Sequence, residues 1–108
     1  MAPYPTHIQV GPVRIEPAVL LAPMEGVTNL TFRRMIRRIG GVGLTVTEFV
    51  ASKGIVQQIH RDEEMAAFDP DEHPVAVQIY GRDPEAMGEA ARILTDLGPD
   101  IIDINMGC

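Results

Sequence analysis

The sequence holds a single cysteine, Cys108, in 108 residues, so no internal disulfide can form and any role of that sulfur is as a thiol in a reducing compartment. No apolar run approaches the ~18 residues that a membrane-spanning helix needs. The stretch from Met1 to Val10 also lacks the charged-then-apolar layout of a signal peptide. A cytoplasmic protein with no membrane partner is therefore expected. His60 and His73 have no ligand spacing and no thiolate beside them, so no metal site is expected. His60-Arg61-Asp62 shares three letters with the kinase catalytic loop but lacks its leucine and downstream asparagine, which leaves it as loop. The glycine fingerprint of dinucleotide-binding folds is missing as well. The turn after the first expected strand reads Glu25-Gly26-Val27-Thr28, and Gly41-Val42-Gly43 precedes a strand with Val46 in the third glycine's place.

What is present fits one globular domain: 45% of the residues are hydrophobic and 22% charged, enough to build a core without disorder or a disulfide scaffold. The formal charge of -6 argues against nucleic-acid binding only if it is spread evenly, and it is not. Residues 1–61 carry seven Lys or Arg against three acids, a balance of +4, whereas residues 62–108 carry two against twelve, a balance of -10. On charge alone the basic half can contact phosphate or simply form a solvated helix face followed by an acidic loop. Both readings stay open.

Val-, Ile- and Leu-rich stretches alternate with segments of helical period. The expected strands are Val19 to Met24, Leu44 to Phe49, Val75 to Tyr80 and Ile101 to Asn105, spaced as βα units are. Before them, His7 to Val10 and Val13 to Ile15 flank Gly11-Pro12 and read as a hairpin. The first helix is expected to start from Thr28 or Asn29, to turn Phe32, Met35, Ile36 and Ile39 inward and Arg33, Arg34, Arg37 and Arg38 outward, and to stop at Gly40-Gly41. Another helix follows Asp83 as N-cap and Pro84 at its first position and ends at Gly98-Pro99, with Met87, Ala90, Ala91, Leu94 and Leu97 in the core. Between them, Ser52 to His60 is weakly helical and Arg61 to His73 reads as a polar, acidic loop.

Alternating strands and helices imply an α/β fold with a parallel sheet and right-handed crossovers, either doubly wound or part of a (β/α)8 barrel. Strand parity favours the barrel. Val75, Val77 and Ile79 share one side while Ala76, Gln78 and Tyr80 share the other; in the last strand Asp103 and Asn105 bring polar groups to one side near the C-terminal end. Apolar side chains toward helices and polar ones toward the C-terminal mouth are what a barrel with its chemistry at that mouth requires.

Four segments at strand ends form a set: Leu21 to Thr28 (Leu-Ala-Pro-Met-Glu-Gly-Val-Thr), Thr47 to Val50, Val77 to Gly81 (Val-Gln-Ile-Tyr-Gly) and Ile102 to Cys108 (Ile-Asp-Ile-Asn-Met-Gly-Cys). In order and spacing this set resembles the tRNA-dihydrouridine synthases, flavoenzymes built on an FMN-binding (β/α)8 barrel with a C-terminal helical RNA-binding domain. The resemblance runs from about Ile8 to Cys108. Its strongest parts are Ala-Pro-Met-x-Gly-Val-Thr with Phe32-Arg33 following, and the closing Asp-x-Asn-x-Gly-Cys. It implies that residues 1–108 are the N-terminal part of the barrel domain, with four further strands and the helical domain absent. It also implies that this length alone is inactive and that its open sheet edges favour self-association.

Within that resemblance several residues acquire roles. An isoalloxazine ring needs a flat apolar wall and amide partners for its pyrimidine edge; Ala22, Pro23 and Met24 can supply the wall and backbone groups, and Gln78 can donate and accept at once. The family uses the equivalent of Asn105 to hold the target base, and an amide matches the carbonyl and N–H of a uracil edge. Reduction of the uracil C5–C6 bond needs a hydride at C6 and a proton at C5; by resemblance FMN reduced by NADPH supplies the first and Cys108 the second. An ordinary thiol with a pKa near ~8.5 is mostly protonated at neutral pH and can yield its proton to a developing carbanion. Glu48 and Asp103 are supporting carboxylates that orient the base or a loop, or accept backbone N–H groups. Two other readings are an FMN barrel acting on a small molecule, such as a dihydroorotate or enoate reductase, and a non-catalytic half-barrel that associates through its sheet edges.

Overall fold

A computed structural model describes residues 4–107. A small antiparallel hairpin, β1 (Ile8–Val10) and β2 (Val13–Ile15), comes first, with Ile8 opposite Ile15. Then come β3 (Leu20–Leu21), α1 (Leu30–Ile39), β4 (Leu44–Val46), β5 (Val50–Ala51), α2 (Ser52–Val56), α3 (His60–Met65), β6 (Val75–Tyr80), α4 (Pro84–Thr95) and β7 (Ile101–Ile104). The strands from β3 onward make one all-parallel sheet. β3 pairs with β4, β4 and β5 both pair with β6, and β6 pairs with β7 on its other side. Every strand therefore neighbours the next in sequence, with no reversal of order. That succession is the barrel's; a doubly wound sheet would place a later strand beside the first.

The two sides of the sheet bury different things. Val77 and Ile79 face the helical layer and pack with Val50, Ile55, Ala66, Ala90 and Leu94, all essentially inaccessible to water. Each Val, Leu or Ile side chain among them contributes about 1.5–3 kcal/mol on burial. On the opposite side Leu44, Val46 and Ala76 pack with Ile15, and Ile8, Val13 and Ile101 lean on the same cluster. The hairpin thus closes the apolar lower part of the interior, beneath the strand ends.

β4 and β5 are one strand interrupted by a bulge. Val46 pairs with Ala76 and Val50 with Ile79, so four steps on one strand oppose three on its neighbour. The expected uninterrupted strand from Leu44 to Phe49 is corrected accordingly. The extra residue changes the strand's parity: Val46 belongs to the inner cluster, whereas Val50 packs toward the helices. The first strand is also shorter than expected, covering Leu20–Leu21 of Val19 to Met24.

Asn29 caps α1 through a 2.9 Å bond from the Phe32 N–H to its Oδ1. Gly40, at φ +85°, ends the helix with its N–H on the Ile36 carbonyl. Asp83 caps α4 by accepting from the Glu85 N–H, with Pro84 opening the helix.

The faces of α1 depart from the expectation at three positions, while Phe32 and Ile36 stay half-buried and Arg34 and Arg38 stay exposed. Arg33 is 1% exposed, while Met35 and Ile39 are 47% and 74% exposed. The cause is the acidic segment that follows α3. Arg33 meets Glu72, Arg34 meets Asp69, and Arg37 donates to the carbonyls of His73 and Pro74. Side-chain hydrogen bonding first, and coulombic attraction after it, raise the affinity of Arg34 for its proton and lower that of Asp69. Residues 60–65, expected as part of a loop, form α3. No described helix is long and apolar enough to cross a membrane.

Candidate active site at the C-terminal ends of the strands

Because the sheet is parallel, the segments leaving β3, β4, β6 and β7 emerge at one end, and the residues singled out in the sequence collect there. Pro23 is half-buried, and Ala22 and Met24 are exposed, in the segment after β3. The next residues close into a turn. Met24 N–H donates to Thr28 Oγ1 at 2.9 Å, and the N–H groups of Val27 and Thr28 both reach the Met24 carbonyl at 3.0 Å. Gly26 sits in that turn at φ +74°, a conformation that a side chain would strain. Its N–H donates to Glu48 Oε1, so the carboxylate on the bulge of the second strand holds the turn after the first. Of the roles open to Glu48, the structure displays the acceptance of a backbone N–H.

Gln78, Asp103 and Asn105 form a connected set. Gln78 and Asp103 are direct partners in the β6–β7 register. Gln78 Nε2 donates to Asp103 Oδ2 at 2.7 Å, Asn105 Nδ2 donates to Gln78 Oε1 at 3.3 Å, and Asn105 Oδ1 accepts from the Gly107 N–H at 2.9 Å. Each of the two amides keeps one N–H and one carbonyl lone pair in reserve. Beyond this set, a cleft of about 410 Å³ is lined by Tyr80, Gly81, Arg82, Asn105 and Met106. Phe49, on the bulge, packs edge-to-face on Tyr80, with ring centroids 5.4 Å apart. Cys108 lies outside the described residues.

A family model of dihydrouridine synthase matches residues 20–108. The chain belongs to the dihydrouridine synthase family. It is 46% identical over 107 residues to a probable tRNA-dihydrouridine synthase of Rhodobacter capsulatus, covering 94% of this chain and 31% of that protein. Against tRNA-dihydrouridine synthase B of Xanthomonas campestris pv. campestris the identity is 45% over 105 residues, covering 94% and 30%. The same-named protein of Pseudomonas aeruginosa is 40% identical over 101 residues, again covering 94% and 30%. The chain thus spans about three-tenths of the length of these curated relatives.

As a member of this family the chain carries the first part of a (β/α)8 barrel. The sequential parallel sheet and the polar strand ends are that part's features.

Three supporting residues were missed in the sequence. Thr47 Oγ1 accepts from the Gln78 N–H at 3.1 Å and donates to the Glu48 carbonyl at 3.0 Å, tying the bulge to β6. Thr28, fully buried, closes the Met24 turn. Arg33 donates through Nη1 to the Thr28 carbonyl at 3.0 Å and through Nη2 to the Ala67 carbonyl at 2.7 Å, so the same turn is held from below. Only the run Val-Thr followed by Phe32-Arg33 hinted at this arrangement. A separate cleft of about 440 Å³ between α1 and the acidic segment is lined by Arg34, Arg37, Arg38, Asp69, Asp71 and Glu72. It lies away from the C-terminal strand ends; within it Arg34 pairs with Asp69, Glu72 is held by Arg33, and Arg37 is engaged with backbone carbonyls. Among the described residues no group of three or more His, Cys, Asp or Glu is placed to hold a metal ion.

Proposed function

We propose that this chain contributes the flavin-holding and base-holding part of an enzyme that reduces uridine to 5,6-dihydrouridine in tRNA. The observation that carries the proposal is the Asp103–Gln78–Asn105 set, on the same end of a barrel-type sheet as the Met24–Thr28 turn. The residues present fit FMN. Gln78 is nearly buried, is oriented by two hydrogen bonds, and retains one donor and one acceptor for the pyrimidine edge of a ring. Ala22, Pro23 and Met24 provide an apolar surface on a turn that Glu48 and Thr28 keep rigid. FMN bound there and reduced by NADPH would supply hydride to C6 of the base.

The chain's own residues supply the rest. Asn105 holds the target base, which has to leave its stack to reach the flavin. Cys108, three residues further along, gives its proton to C5. Residues 1–108 are then a partial FMN-binding barrel domain, and the basic surface that grips tRNA phosphates comes largely from elsewhere in the full-length enzyme, because three of the four arginines of α1 are engaged with the acidic segment or its backbone.

The test uses a full-length dihydrouridine synthase carrying this sequence, incubated with FMN, NADPH and unmodified tRNA and read by mass spectrometry of the nucleosides. Dihydrouridine appearing at a defined position supports the reading. Flavin retention and NADPH oxidation that leave tRNA unchanged would make the protein an FMN barrel for a small molecule. Absence of any flavin would favour a non-catalytic barrel.

A further inference from the structure

An asparagine amide has nearly the same shape when its oxygen and nitrogen are exchanged, so an unconstrained Asn105 serves either of two pyrimidines. Uracil presents a carbonyl beside an N–H; cytosine presents an amino group beside a bare ring nitrogen, the inverted pattern. A flip of the amide turns a partner for one into a partner for the other. Selection between them therefore requires something that forbids the flip.

The structure provides two such constraints, one at each end of a chain of hydrogen bonds. An ionised carboxylate can only accept, so the 2.7 Å contact to Asp103 Oδ2 obliges Gln78 to turn its NH₂ toward Asp103. That leaves Gln78 Oε1 toward Asn105, which obliges Asn105 to present its own NH₂ there. At the far end the Gly107 N–H can only donate, and it points at Asn105 Oδ1 at 2.9 Å. Flipping Asn105 would set its NH₂ against the Gly107 N–H. If Gln78 flipped with it, an amide oxygen would face the carboxylate. The direction of the whole set is therefore fixed by an acceptor at one end and a donor at the other.

We infer that Asp103 is a specificity-determining positioning residue: through Gln78 it locks the amide of Asn105 in the orientation that suits uracil and rejects cytosine. The inference rests on the proposed function, in which Asn105 touches the base. Asp103 itself touches Gln78 and acts through it. Replacement by Asn keeps the shape but lets the residue donate to Gln78 Oε1, which removes the acceptor-only end of the chain and leaves only the exposed Gly107 N–H, which water can satisfy, to oppose the flip.

The experiment compares Asp103→Asn with the wild type in a full-length dihydrouridine synthase carrying this sequence. Competing tRNA transcripts bear uridine or cytidine at the position that the wild type modifies, and the ratio of their inhibition constants is read. The wild type should favour the uridine transcript. Asp103→Asn should narrow that ratio by about tenfold or more, the discrimination expected when a donor meets a donor, or an acceptor an acceptor, at the base edge. Asp103→Glu, still acceptor-only, should restore most of it. A merely structural role would weaken both transcripts alike, and an unchanged ratio overturns the inference. Should Asp103→Asn fail to fold, scalar couplings across the hydrogen bonds of the nitrogen- and carbon-labelled wild type decide the matter. Couplings from Gln78 Nε2 to Asp103 and from Asn105 Nδ2 to Gln78 support the lock, and the opposite amide direction removes it. A wild type that modifies no tRNA defeats the functional reading, while the couplings still report on the amide direction.

Discussion

Arg33 and Glu72, separated by 39 positions in the chain, form a buried ion pair in which Arg33 Nε donates to Glu72 Oε2 at 2.8 Å and Nη2 to Oε1 at 3.3 Å. Thr45 Oγ1 adds a 2.7 Å bond to the same Oε2. The pair fastens α1 to the segment before β6, and Arg33 extends the hold to the carbonyl of Thr28.

Removing one member leaves the other buried without its counter-charge, so Glu72→Ala should cost about 3–5 kcal/mol of stability. The double variant Arg33→Met, Glu72→Leu should recover a large share of that loss, because the uncompensated charge is gone. Thermal unfolding of the chain and its variants at one protein concentration checks both. A single variant as stable as the wild type would mean that the pair contributes nothing net.

The exposed pair Arg34–Asp69 predicts a pH dependence. The hydrogen bond and attraction from Arg34 lower the folded-state pKa of Asp69 below its unfolded value. Its contribution is therefore present above the unfolded pKa, about 4, and is lost as pH falls through the lower folded value. Asp69→Asn should destabilise the chain modestly at neutral pH and flatten the fall of its melting temperature below about pH 4. A variant whose melting temperature falls with acid as steeply as the wild type's would assign the acid sensitivity to other carboxylates.

Much of the architecture could be read from local signals. Asn29, Gly40, Asp83 and Pro84 bound their helices through backbone chemistry that lies within a few residues, and β6 alternates between a helix-facing and an interior side that the sequence displays directly. The faces of α1 could not be read this way. Phe32, Met35, Ile36 and Ile39 form an apolar stripe of helical period, yet Arg33 is buried and Arg34 is drawn aside because their carboxylate partners, Glu72 and Asp69, lie 39 and 35 residues downstream. The bulge at residues 47–49 was equally hidden, because it is set by the Thr47 contact with the backbone of β6. At the site, the types of Gln78, Asp103 and Asn105 and the strand positions of the first two were legible, Asn105 lying one residue past the end of β7; the direction of their hydrogen bonds was not, since it depends on register between two strands.

In the parallel sheet the outer edges of β3 and β7 lack partners among the described residues, and apolar side chains remain exposed beside them. Leu20 is 47% and Ile104 54% exposed. Such edges pair readily with other chains. The 108-residue chain purified alone should therefore dimerise or form larger species in sedimentation velocity runs and bind FMN weakly. A monomer that binds FMN tightly would contradict this.

Gln78→Ala in a full-length dihydrouridine synthase carrying this sequence should weaken FMN binding by about tenfold to a hundredfold, the range expected when a buried amide partner is lost at about 1–3 kcal/mol. Flavin content after purification and fluorescence titration of FMN check it. Full occupancy with unchanged affinity would remove Gln78 from the cofactor site.

The most direct test of the central claim is a single-turnover comparison of wild type and Cys108→Ala in that full-length enzyme, following flavin absorbance on addition of NADPH and dihydrouridine on addition of tRNA. With Cys108 as the acid at C5, the variant should still bleach its flavin with NADPH at the wild-type rate while dihydrouridine formation falls by ~10²-fold or more. Conversion of tRNA by the Cys108→Ala enzyme at the wild-type single-turnover rate would contradict the account.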